Sequence, residues 1–484
     1  MATETIIFIG VAIYIAMMVT VGIYASKKTH TATEFIVAGR SLPIWLLTTT
    51  IIATWFGGGM LIGGAGAAYD NGLLGNIADP FGATVCLMLV GLFFVRIFRR
   101  LKLLTFVDFV EQRFGRAASI IASIAGLVSS IFWVAGMLVA FGIVFETLTG
   151  TPLIIGILGG SLVVILYTTM GGMLAVALTD FVQMGVIAIG LVMLLVVVLI
   201  DAGGWGVVAA QLPETTFRMY PLEHTGEQWL NYLRAWVIFG IADIASQSLI
   251  GRALAAKSER VAQHSFYLAA IGYLGFGMIP VLLGIIGSVT MPGIGDSESI
   301  IPALAFEHLH PVAIAVFVGA VLAAIMSSCD SALLAASSIV STNLLPLVKR
   351  EPSDKLRLQV VRWGIPACGL ISIGIALNSQ VVFNTMLDGN ILMLAAVIVP
   401  FILGVWWKKA NRAGALAAML MGIVSWLTTS QIFPELPGDL VGLTVSLVTM
   451  LVVTQLTQKF DPPRELVDSD GNPVELTNRL GILR

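Results

Sequence analysis

The chain has 484 residues, of which 57% are apolar and 11% are charged, and its formal net charge is −2. The charged residues are concentrated in short loops, so the net charge gives no indication of nucleic-acid binding, and we expect no nucleic-acid partner. Apolar runs of 18 or more residues recur along nearly the whole length, which predicts an all-α polytopic membrane protein surrounded by the lipid bilayer.

Thirteen membrane-spanning helices are predicted. Their limits are 5–25, 42–69, 75–95, 117–147, 152–170, 174–201, 231–253, 265–291, 311–345, 359–378, 385–407, 413–432 and 438–457. Residues 1–460 therefore form one transmembrane domain. The polar residues 461–484 form a cytoplasmic tail that we expect to be flexible.

Lysine and arginine are unevenly distributed between the two sets of loops that these spans define. One set, together with the tail, carries 24 of the 26 basic residues, and only Arg218 and Arg234 fall on the other side. Cytoplasmic loops are rich in Lys and Arg, so the N-terminus is predicted outside and the C-terminus inside. We expect a multi-pass protein of the plasma membrane (the inner membrane of a bacterial cell). In this assignment Arg252 belongs to a cytoplasmic loop.

Span 2 carries an unusual run of glycines. The stretch "IIATWFGGGMLIGGAGAAYDNG" occupies residues 51–72, with Gly57, Gly58 and Gly59 near the centre of the span. Each glycine costs about 1 kcal/mol in a helix interior, so three in succession predict a break. Non-helical backbone at membrane depth is buried or lines a cavity, and its carbonyls can bind an alkali cation. Alternatively, the glycines provide a closely packed surface for a neighbouring helix.

Span 9 carries hydroxyls and a carboxylate inside an apolar helix. In "AAIMSSCDSALLAASS", residues 323–338, one helical face and its edge contain Ala324, Ser327, Ser328, Asp330 and Ser331. Serines can simply allow helices to pack closely, but an intramembrane aspartate is costly and indicates a function. Hydroxyl and carboxylate oxygens are ligands that hard cations prefer, so this face predicts a cation site.

Four unusual residues lie near span centres and therefore at a common depth: Trp55, Trp133, Asp243 and Ser327. A binding site at the bilayer midplane is typical of secondary transporters. Alternatively, the two tryptophans are packing residues and Asp243 serves ion coupling.

Two motifs resemble the sodium:solute symporter family, which includes carriers of proline, glucose, sialic acid and choline. "YTTMGGMLAVALTDFVQ", residues 167–183, resembles the family's connection between spans 5 and 6 and the helix after it. The span 9 motif resembles the family's ion-binding helix. "ATWFGGG", residues 53–59, and "SSCDSALLAASS" are most similar to the high-affinity choline carriers. The resemblance covers about the whole membrane region and implies a LeuT-type fold in which spans 2–6 and 7–11 are inverted repeats.

The resemblance also implies the ligands of two sodium sites. The main site would use the carbonyls of Ala53, Phe56 and Ala324 and the hydroxyls of Ser327 and Ser328. A second site, present in some relatives, would use Asp180, Asp330 and Ser331. Relatives with that site carry serine at the position of Asp330, so its carboxylate either strengthens the ion site or titrates. The alternative for Asp180 is an interfacial position about two turns from the cytoplasmic end.

The expected solute is a small organic cation or zwitterion, either choline-like or amino-acid-like. Trp55 and Trp133 match two tryptophans of the choline carriers' aromatic cage, whose ring faces hold a quaternary ammonium. The third cage tryptophan appears here as Ser246, and the cage tyrosine of span 3 is missing as well. Asp243, one helical turn from Ser246 and Gln247, can compensate by pairing with a positively charged nitrogen.

These observations predict a sodium-coupled symporter that imports this solute and uses no cofactor besides its coupling ions. No nucleophile–base or metal motif is visible in the sequence, so we expect no enzyme and no catalytic residues. The alternative is a membrane-embedded sensor or channel that keeps the fold without coupled transport. We expect no appended signalling domain, which argues against a sensor, and conductance without saturation would distinguish a channel.

Overall fold

A computed structural model of the chain describes residues 16–18, 20–221, 225–378, 381–468 and 471–477, together with Ile13 and Glu223. Within these residues the chain is almost entirely helical, and its two β-bridges, Leu42–Ala256 and Val467–Pro473, are isolated. The predicted all-α class is confirmed. The beginning of predicted span 1 and the end of the predicted tail lie outside the described residues.

The helices follow one another with short connections. The α-helices are Ala32–Val37, Ile44–Trp55, Ala65–Asn71, Ala83–Phe93, Val95–Leu101, Phe106–Phe114, Arg116–Thr149, Leu153–Asp201, Trp205–Ala209, Gly226–Gly240, Gln247–Ala255, Glu259–Thr290, Ile300–His308, Pro311–Ile339, Leu345–Val348, Asp354–Ala376, Val382–Leu392, Ile398–Trp406, Arg412–Ile432 and Gly438–Thr457. Turns of π-helix occupy Gly59–Gly64, Ile77–Gly82, Val340–Leu344 and Met393–Val397, and 3₁₀ turns occupy Ala38–Arg40, Gly72–Asn76, Ala242–Ala245 and Ser297–Ser299.

Nine helices of the described chain are long and apolar enough to cross a membrane, and one bent pair would make a tenth. The helix Leu153–Asp201 has 49 residues. At 1.5 Å per residue this is about 74 Å, more than twice the roughly 30 Å of a bilayer's hydrocarbon core. Gly172 interrupts it with φ 61° and ψ −161°, at the predicted junction of spans 5 and 6. A Cβ there would lie 2.5 Å from the carbonyl oxygen of Phe35, so only glycine fits.

Span 2 is broken where its glycines predict a break. The helix Ile44–Trp55 ends at Phe56, whose ψ of 76° is not helical, and helical structure resumes at Gly59–Gly64. The broken segment is fully buried. Its backbone polar groups are therefore held inside the protein, as membrane depth requires.

The same glycines also allow close packing. A Cβ on Gly57 would lie 2.2 Å from the Oγ of Ser328, and one on Gly58 would lie 2.5 Å from the Cβ of Ala140. Both interpretations of the glycine run therefore hold, because the break presses directly against neighbouring helices.

Span 7 has a second break, which the sequence patterns did not predict. The helix Gly226–Gly240 is followed by the 3₁₀ turn Ala242–Ala245, and Gln247–Ala255 continues at an angle of 47°. Ser246 between them is extended, with φ −63° and ψ 130°. The break lies beside Asp243, as the break of span 2 lies beside Trp55.

Arg252 lies inside the fold and not in a cytoplasmic loop, so its predicted location was wrong. It is part of the helix Gln247–Ala255 and is fully buried. Counting basic residues assigned it to the loop because it falls near the predicted end of span 7. Its charge is instead satisfied by buried oxygens on neighbouring helices, which a hydropathy pattern does not reveal.

The described part of the tail, for which the sequence led us to expect flexibility, forms hydrogen bonds with the transmembrane domain. Arg100 Nη1 donates to the carbonyl oxygen of Glu475 at 2.9 Å, and Arg113 donates to that of Arg464. Leu466 is buried. The tail is polar in composition, but arginines on the connection between spans 3 and 4 hold its backbone in place.

Candidate functional site

The break in span 2 leaves a backbone carbonyl without its helical partner. In a continuous helix the N–H of Gly57 would bond to the oxygen of Ala53, but here it donates to the oxygen of Trp55 at 2.9 Å. The oxygen of Ala53 accepts from Ser327 Oγ at 3.0 Å and lies 3.4 Å from Ser328 Oγ. The break of span 2 and the polar face of span 9 therefore meet at this carbonyl.

Two further predicted ligands of the main ion site, Ala324 and Phe56, lie next to these residues in the chain or in space. Ser327 Oγ also donates to the oxygen of Ala324 at 2.9 Å, and Phe56 is the residue at which the backbone leaves helical geometry. Ala53, Phe56, Ala324, Ser327 and Ser328 are all completely buried. The helical-face argument and the resemblance therefore selected residues that the fold brings together.

These oxygens lie at hydrogen-bond distances from one another, slightly closer together than the ligands of a sodium-sized cation. Calcium, whose radius is similar, binds oxygens at about 2.3–2.6 Å, so ligands at right angles around it are about 3.3–3.7 Å apart. The separations of 2.9–3.4 Å are slightly shorter because serine hydroxyl hydrogens bridge the oxygens. A bound ion would replace these hydrogen bonds after a small expansion.

The residues predicted as a second ion site surround the side chain of Arg252. Its Nη2 donates to Ser331 Oγ at 2.5 Å and lies 3.6 Å from Asp180 Oδ2. Its Nε is 3.1 Å from both the carbonyl and the hydroxyl oxygen of Thr50, and its Nη1 donates to the carbonyl of Ser248 at 2.8 Å. The guanidinium, which has five N–H donors, is thus held by oxygens on all sides.

The two aspartates of this cluster have further hydrogen bonds. Tyr167, from the motif at residues 167–183, donates its hydroxyl to Asp330 Oδ2 at 2.7 Å, and Ser331 Oγ is 3.2 Å from Asp330 Oδ1. The hydroxyl of Thr50 donates to Asp180 Oδ2. Asp180 is fully buried, so it does not occupy the exposed interfacial position that was the alternative.

A cavity beside the two helix breaks contains four of the five residues predicted to contact the solute. In this conformation the cavity is small, with a volume of about 20 Å³, which is enough for about one or two water molecules. Trp55, Trp133, Asp243 and Ser246 line it. The other polar lining groups are Thr54, Ser129, Ser130, Ser248, Ser328 and Asn390.

Asp243 supplies the single carboxylate of the cavity wall. It is 6% exposed and accepts a hydrogen bond from Asn390 Nδ2 at 3.2 Å. None of the ion pairs within the described residues includes it, and none of the lining residues named above is basic. When it is ionised, Asp243 is therefore available to pair with a cation in the cavity.

Gln247 does not line the cavity, contrary to expectation. Its Oε1 accepts from the backbone N–H of Phe106 at 2.9 Å, and its Nε2 donates to the carbonyl of Leu104 at 3.3 Å. The break at Ser246 directs the next residue away from the cavity. Gln247 instead anchors the start of the helix Phe106–Phe114.

Asp79 is a buried carboxylate that the sequence patterns did not single out. It is non-helical, with φ −143° and ψ 122°, and the hydroxyl of Tyr273 donates to its Oδ1 at 2.7 Å. The same hydroxyl is 3.4 Å from the carbonyl oxygen of Trp55. The signal was present, because an aspartate within span 3 is as costly in a membrane as Asp330.

Two broken helices that meet at a central cavity, with buried oxygens gathered at one break, define a secondary transporter. A model of the sodium:solute symporter family matches residues 35–422, and the chain belongs to this family.

Its relatives include carriers of different organic solutes. The high affinity choline transporter 1 of Homo sapiens is 28% identical over 456 residues, which cover 87% of this chain and 76% of the relative. The sodium/proline symporter of Staphylococcus aureus (strain JH9) is 26% identical over 498 residues, which cover 96% and 95% of the two chains.

Solved structures show the same fold. A Na⁺-coupled sialic acid symporter in a substrate-bound, outward-open state aligns with a TM-score of 0.82 at 21% identity, over 96% of this chain and 99% of that chain. Mhp1, a nucleobase-cation-symport-1 family transporter, aligns with a TM-score of 0.62 at 16% identity, over 90% and 96% of the two chains. The expected LeuT-like architecture is confirmed.

Proposed function

We propose that the protein is a sodium-driven importer of a small organic cation or zwitterion in the plasma membrane. The observation that carries this proposal is Asp243, a carboxylate without an ion-pair partner among the described residues, which faces a cavity lined by Trp55 and Trp133. A protonated amine would pair with Asp243, and a ring face attracts a desolvated cation by about 2 kcal/mol or more. Relatives named for choline and for proline support a solute with a positively charged nitrogen.

The remaining lining groups favour a nitrogen that carries hydrogens. The cavity offers five serine hydroxyls, one threonine hydroxyl and one asparagine amide to its occupant. A quaternary ammonium has no N–H to donate to these oxygens, whereas a primary or secondary ammonium does. Ser246, in the position of the third cage tryptophan, adds a hydroxyl where a quaternary cage would have a ring. We therefore propose an amine or amino-acid-type solute.

Sodium is the co-transported ion in this proposal. It would bind between the carbonyls of Ala53, Phe56 and Ala324 and the hydroxyls of Ser327 and Ser328. Binding would stabilise the outward-open state and order the break of span 2, after which the solute binds beside Trp55. Movement of one helix bundle would then expose both to the cytoplasm. Arg252 lies among Asp180, Asp330 and Ser331, the residues that the resemblance implies for a second sodium site, and this proposal assigns no ion to them.

We also propose thirteen spans with the N-terminus outside, and inverted repeats formed by spans 2–6 and 7–11. The division of Leu153–Asp201 at Gly172 supports the count. The first span of each repeat, span 2 or span 7, is broken near its centre. Interrupted helices at corresponding positions of two repeats are typical of such transporters.

The test is a thermal-shift screen of the purified protein in sodium chloride and in potassium chloride. In the series of ethanolamine, its mono- and dimethyl derivatives and choline, methyl groups replace the N–H donors one at a time, and proline and glycine represent zwitterions. A ligand at 100 times its Kd stabilises the folded state by about 2.7 kcal/mol. We expect stabilisation by solutes with N–H donors, and a larger effect in sodium.

Two outcomes would contradict this proposal at different levels. Strongest stabilisation by choline would contradict the preference for N–H donors but not the cationic solute. Stabilisation by a simple monocarboxylate, with none by the amines or amino acids, would contradict the cationic solute and leave sodium symport standing.

A further inference from the structure

Three ionisable side chains are buried together where spans 2, 6, 7 and 9 meet. Asp180, Arg252 and Asp330 are all 0% exposed. Arg252 lies 3.6 Å from Asp180, and it reaches the second carboxylate through Ser331, whose Oγ accepts from Arg252 and lies 3.2 Å from Asp330 Oδ1. The three charges therefore form one cluster.

The cluster is one positive charge short of neutrality. With both carboxylates ionised, the cluster has a net charge of −1, and such a buried charge is either balanced by a partner charge or a metal ion or neutralised by a proton. No other basic residue of the described chain forms an ion pair with either aspartate. One additional cation would neutralise the cluster, and a second would leave it positive.

The main ion site lies directly beside this cluster. Ser331 Oγ donates to the carbonyl of Ser327 at 2.7 Å, and Ser327 is a predicted ligand of the main site. A sodium ion at the main site would therefore lie on the same helix face as Ser331, about one turn away. Within the cluster, Thr50 holds the guanidinium from the helix Ile44–Trp55, and the carbonyl of Ser248 holds it from one turn earlier in the helix of Arg252 itself.

We propose that Arg252 is a tethered cation that takes the place of a second sodium ion between Asp180 and Ser331, so that the protein binds a single sodium ion and Asp330 balances its charge. This inference rests on the proposed sodium-symport function and specifies its ion stoichiometry. Asp180 is then the permanent partner of Arg252. Asp180, Asp330 and Ser331 become a sodium site only when the guanidinium is removed.

The test is equilibrium binding of radioactive sodium to the purified full-length protein at about pH 8.5, where carboxylates are ordinarily ionised. The measurement gives the number of ions per chain and the Kd without knowledge of the solute. The wild type should bind one ion with a Hill coefficient of one. Asp330→Asn removes the balancing charge, so its sodium Kd should rise about tenfold or more.

Removing the guanidinium should have the opposite effect on ion number. Arg252→Gln leaves two carboxylates without a counter-charge, so this variant should bind two sodium ions with a Hill coefficient above one. The double variant Arg252→Gln/Asp330→Asn again has a net charge of −1. It should bind one ion, with a Kd closer to that of the wild type than the Kd of Asp330→Asn. Arg252→Lys keeps the charge and should still bind one ion.

Ser327→Ala is the reference variant for the main site, because it should weaken the main-site affinity in every background without changing the charge of the cluster. Two ions bound to the wild type, or an unchanged Kd in Asp330→Asn, would overturn the proposed role of Arg252. If Arg252→Gln does not fold, the number of ions bound to the wild type and the sodium Kd of Asp330→Asn are sufficient to test the proposed role of Arg252. A wild type that binds no sodium would contradict the symport function itself.

Discussion

Replacing Gly57 by alanine should damage the main ion site by direct contact. The new Cβ would lie 2.2 Å from Ser328 Oγ, 2.7 Å from Ser328 Cβ and 2.9 Å from Met137 Sδ. Met137 can turn aside because its sulfur is near the end of a flexible side chain. Ser328 is fixed to a buried helix, so the break of span 2 must move away from it by about 1 Å to restore ordinary contact.

The expected magnitude follows from this displacement. Overpacking a buried site costs about 1–3 kcal/mol. Ser328 Oγ is 3.4 Å from the carbonyl oxygen of Ala53, and a further separation of about 1 Å would open the angle between these two ligands at one ion from about 90° to about 130°. Since 1.4 kcal/mol corresponds to a factor of ten, a cost of this size that falls on ion binding raises the sodium Kd about 10- to 100-fold.

Sodium titration of the purified protein measures this effect, with thermal stability recorded in potassium chloride to separate folding from ion binding. Gly319→Ala is the matched control. Gly319 is buried in the same helix as Ser328, and a Cβ there would meet nothing within 4 Å. Because alanine is favoured over glycine in a helix by about 1 kcal/mol, this control should keep the sodium Kd and lose no stability.

A Gly57→Ala protein that binds sodium with the wild-type Kd would refute the contact between the break of span 2 and Ser328. If the variant does not fold, Gly57→Ala/Ser328→Gly removes both Ser328 atoms that the new Cβ would meet. This double variant should fold again but should still bind sodium weakly, since one ligand is gone.

Three further substitutions test the two predicted sites. Ser327→Ala should raise the sodium Kd about tenfold or more with little loss of thermal stability. The control is Ser337→Ala, which changes a buried serine of the same helix that bonds only within it and should leave the sodium Kd unchanged. Equal effects of the two substitutions in a sodium titration would argue against a specific ion site. Asp243→Asn should weaken uptake of a cationic solute more than uptake of a zwitterion, whose carboxylate Asp243 repels, and equal losses in competition uptake assays would contradict the pairing. Trp133→Ala should raise the apparent Km of the solute about tenfold or more, and the exposed Trp363→Ala should not; an unchanged Km in Trp133→Ala would remove Trp133 from the solute site.

The two helix breaks differ in how far the sequence could predict them. Glycine destabilises a helix interior wherever it occurs, so the break of span 2 can be predicted from the sequence of Gly57, Gly58 and Gly59 alone. Span 7 breaks within "FGIADIASQS", residues 239–248, where the residues after Gly240 give no such signal. There the non-helical backbone depends on tertiary contacts, such as the hydrogen bond from Asn390 to Asp243.

The residues of the candidate site also differ in how far the sequence alone could predict them. Helical periodicity alone places Ala324, Ser327 and Ser328 on one face, because their spacing fixes their direction. The partner on span 2, Ala53, came only from the resemblance, since contacts between distant segments depend on the fold. Gln247 was wrongly predicted to contact the solute for a related reason. The prediction assumed that the helix of span 7 continues unbroken through Ser246 and Gln247.

Arg252 was misassigned because a charged side chain near the end of an apolar segment can be accommodated in two ways. It can extend into the cytoplasm, as the positive-inside rule assumes, or it can turn inward to buried acceptors. The sequence "LIGRALA", residues 249–255, is apolar on both sides of the arginine. That pattern, together with unpaired aspartates in spans 6 and 9, is the signal that would have favoured the inward position.

Ser328 connects the two sites of the proposed symporter. Its Oγ is 3.4 Å from the carbonyl oxygen of Ala53, and its side chain also lines the cavity. Trp55 follows Ala53 by two residues and lines the same cavity, so an ion that fixes this carbonyl also fixes the backbone that carries Trp55. Coupled binding is reciprocal: sodium raises the affinity for the solute by the factor by which the solute raises the affinity for sodium. Transport coupled in this way requires no contact between ion and solute, because the short segment at the break of span 2 belongs to both sites.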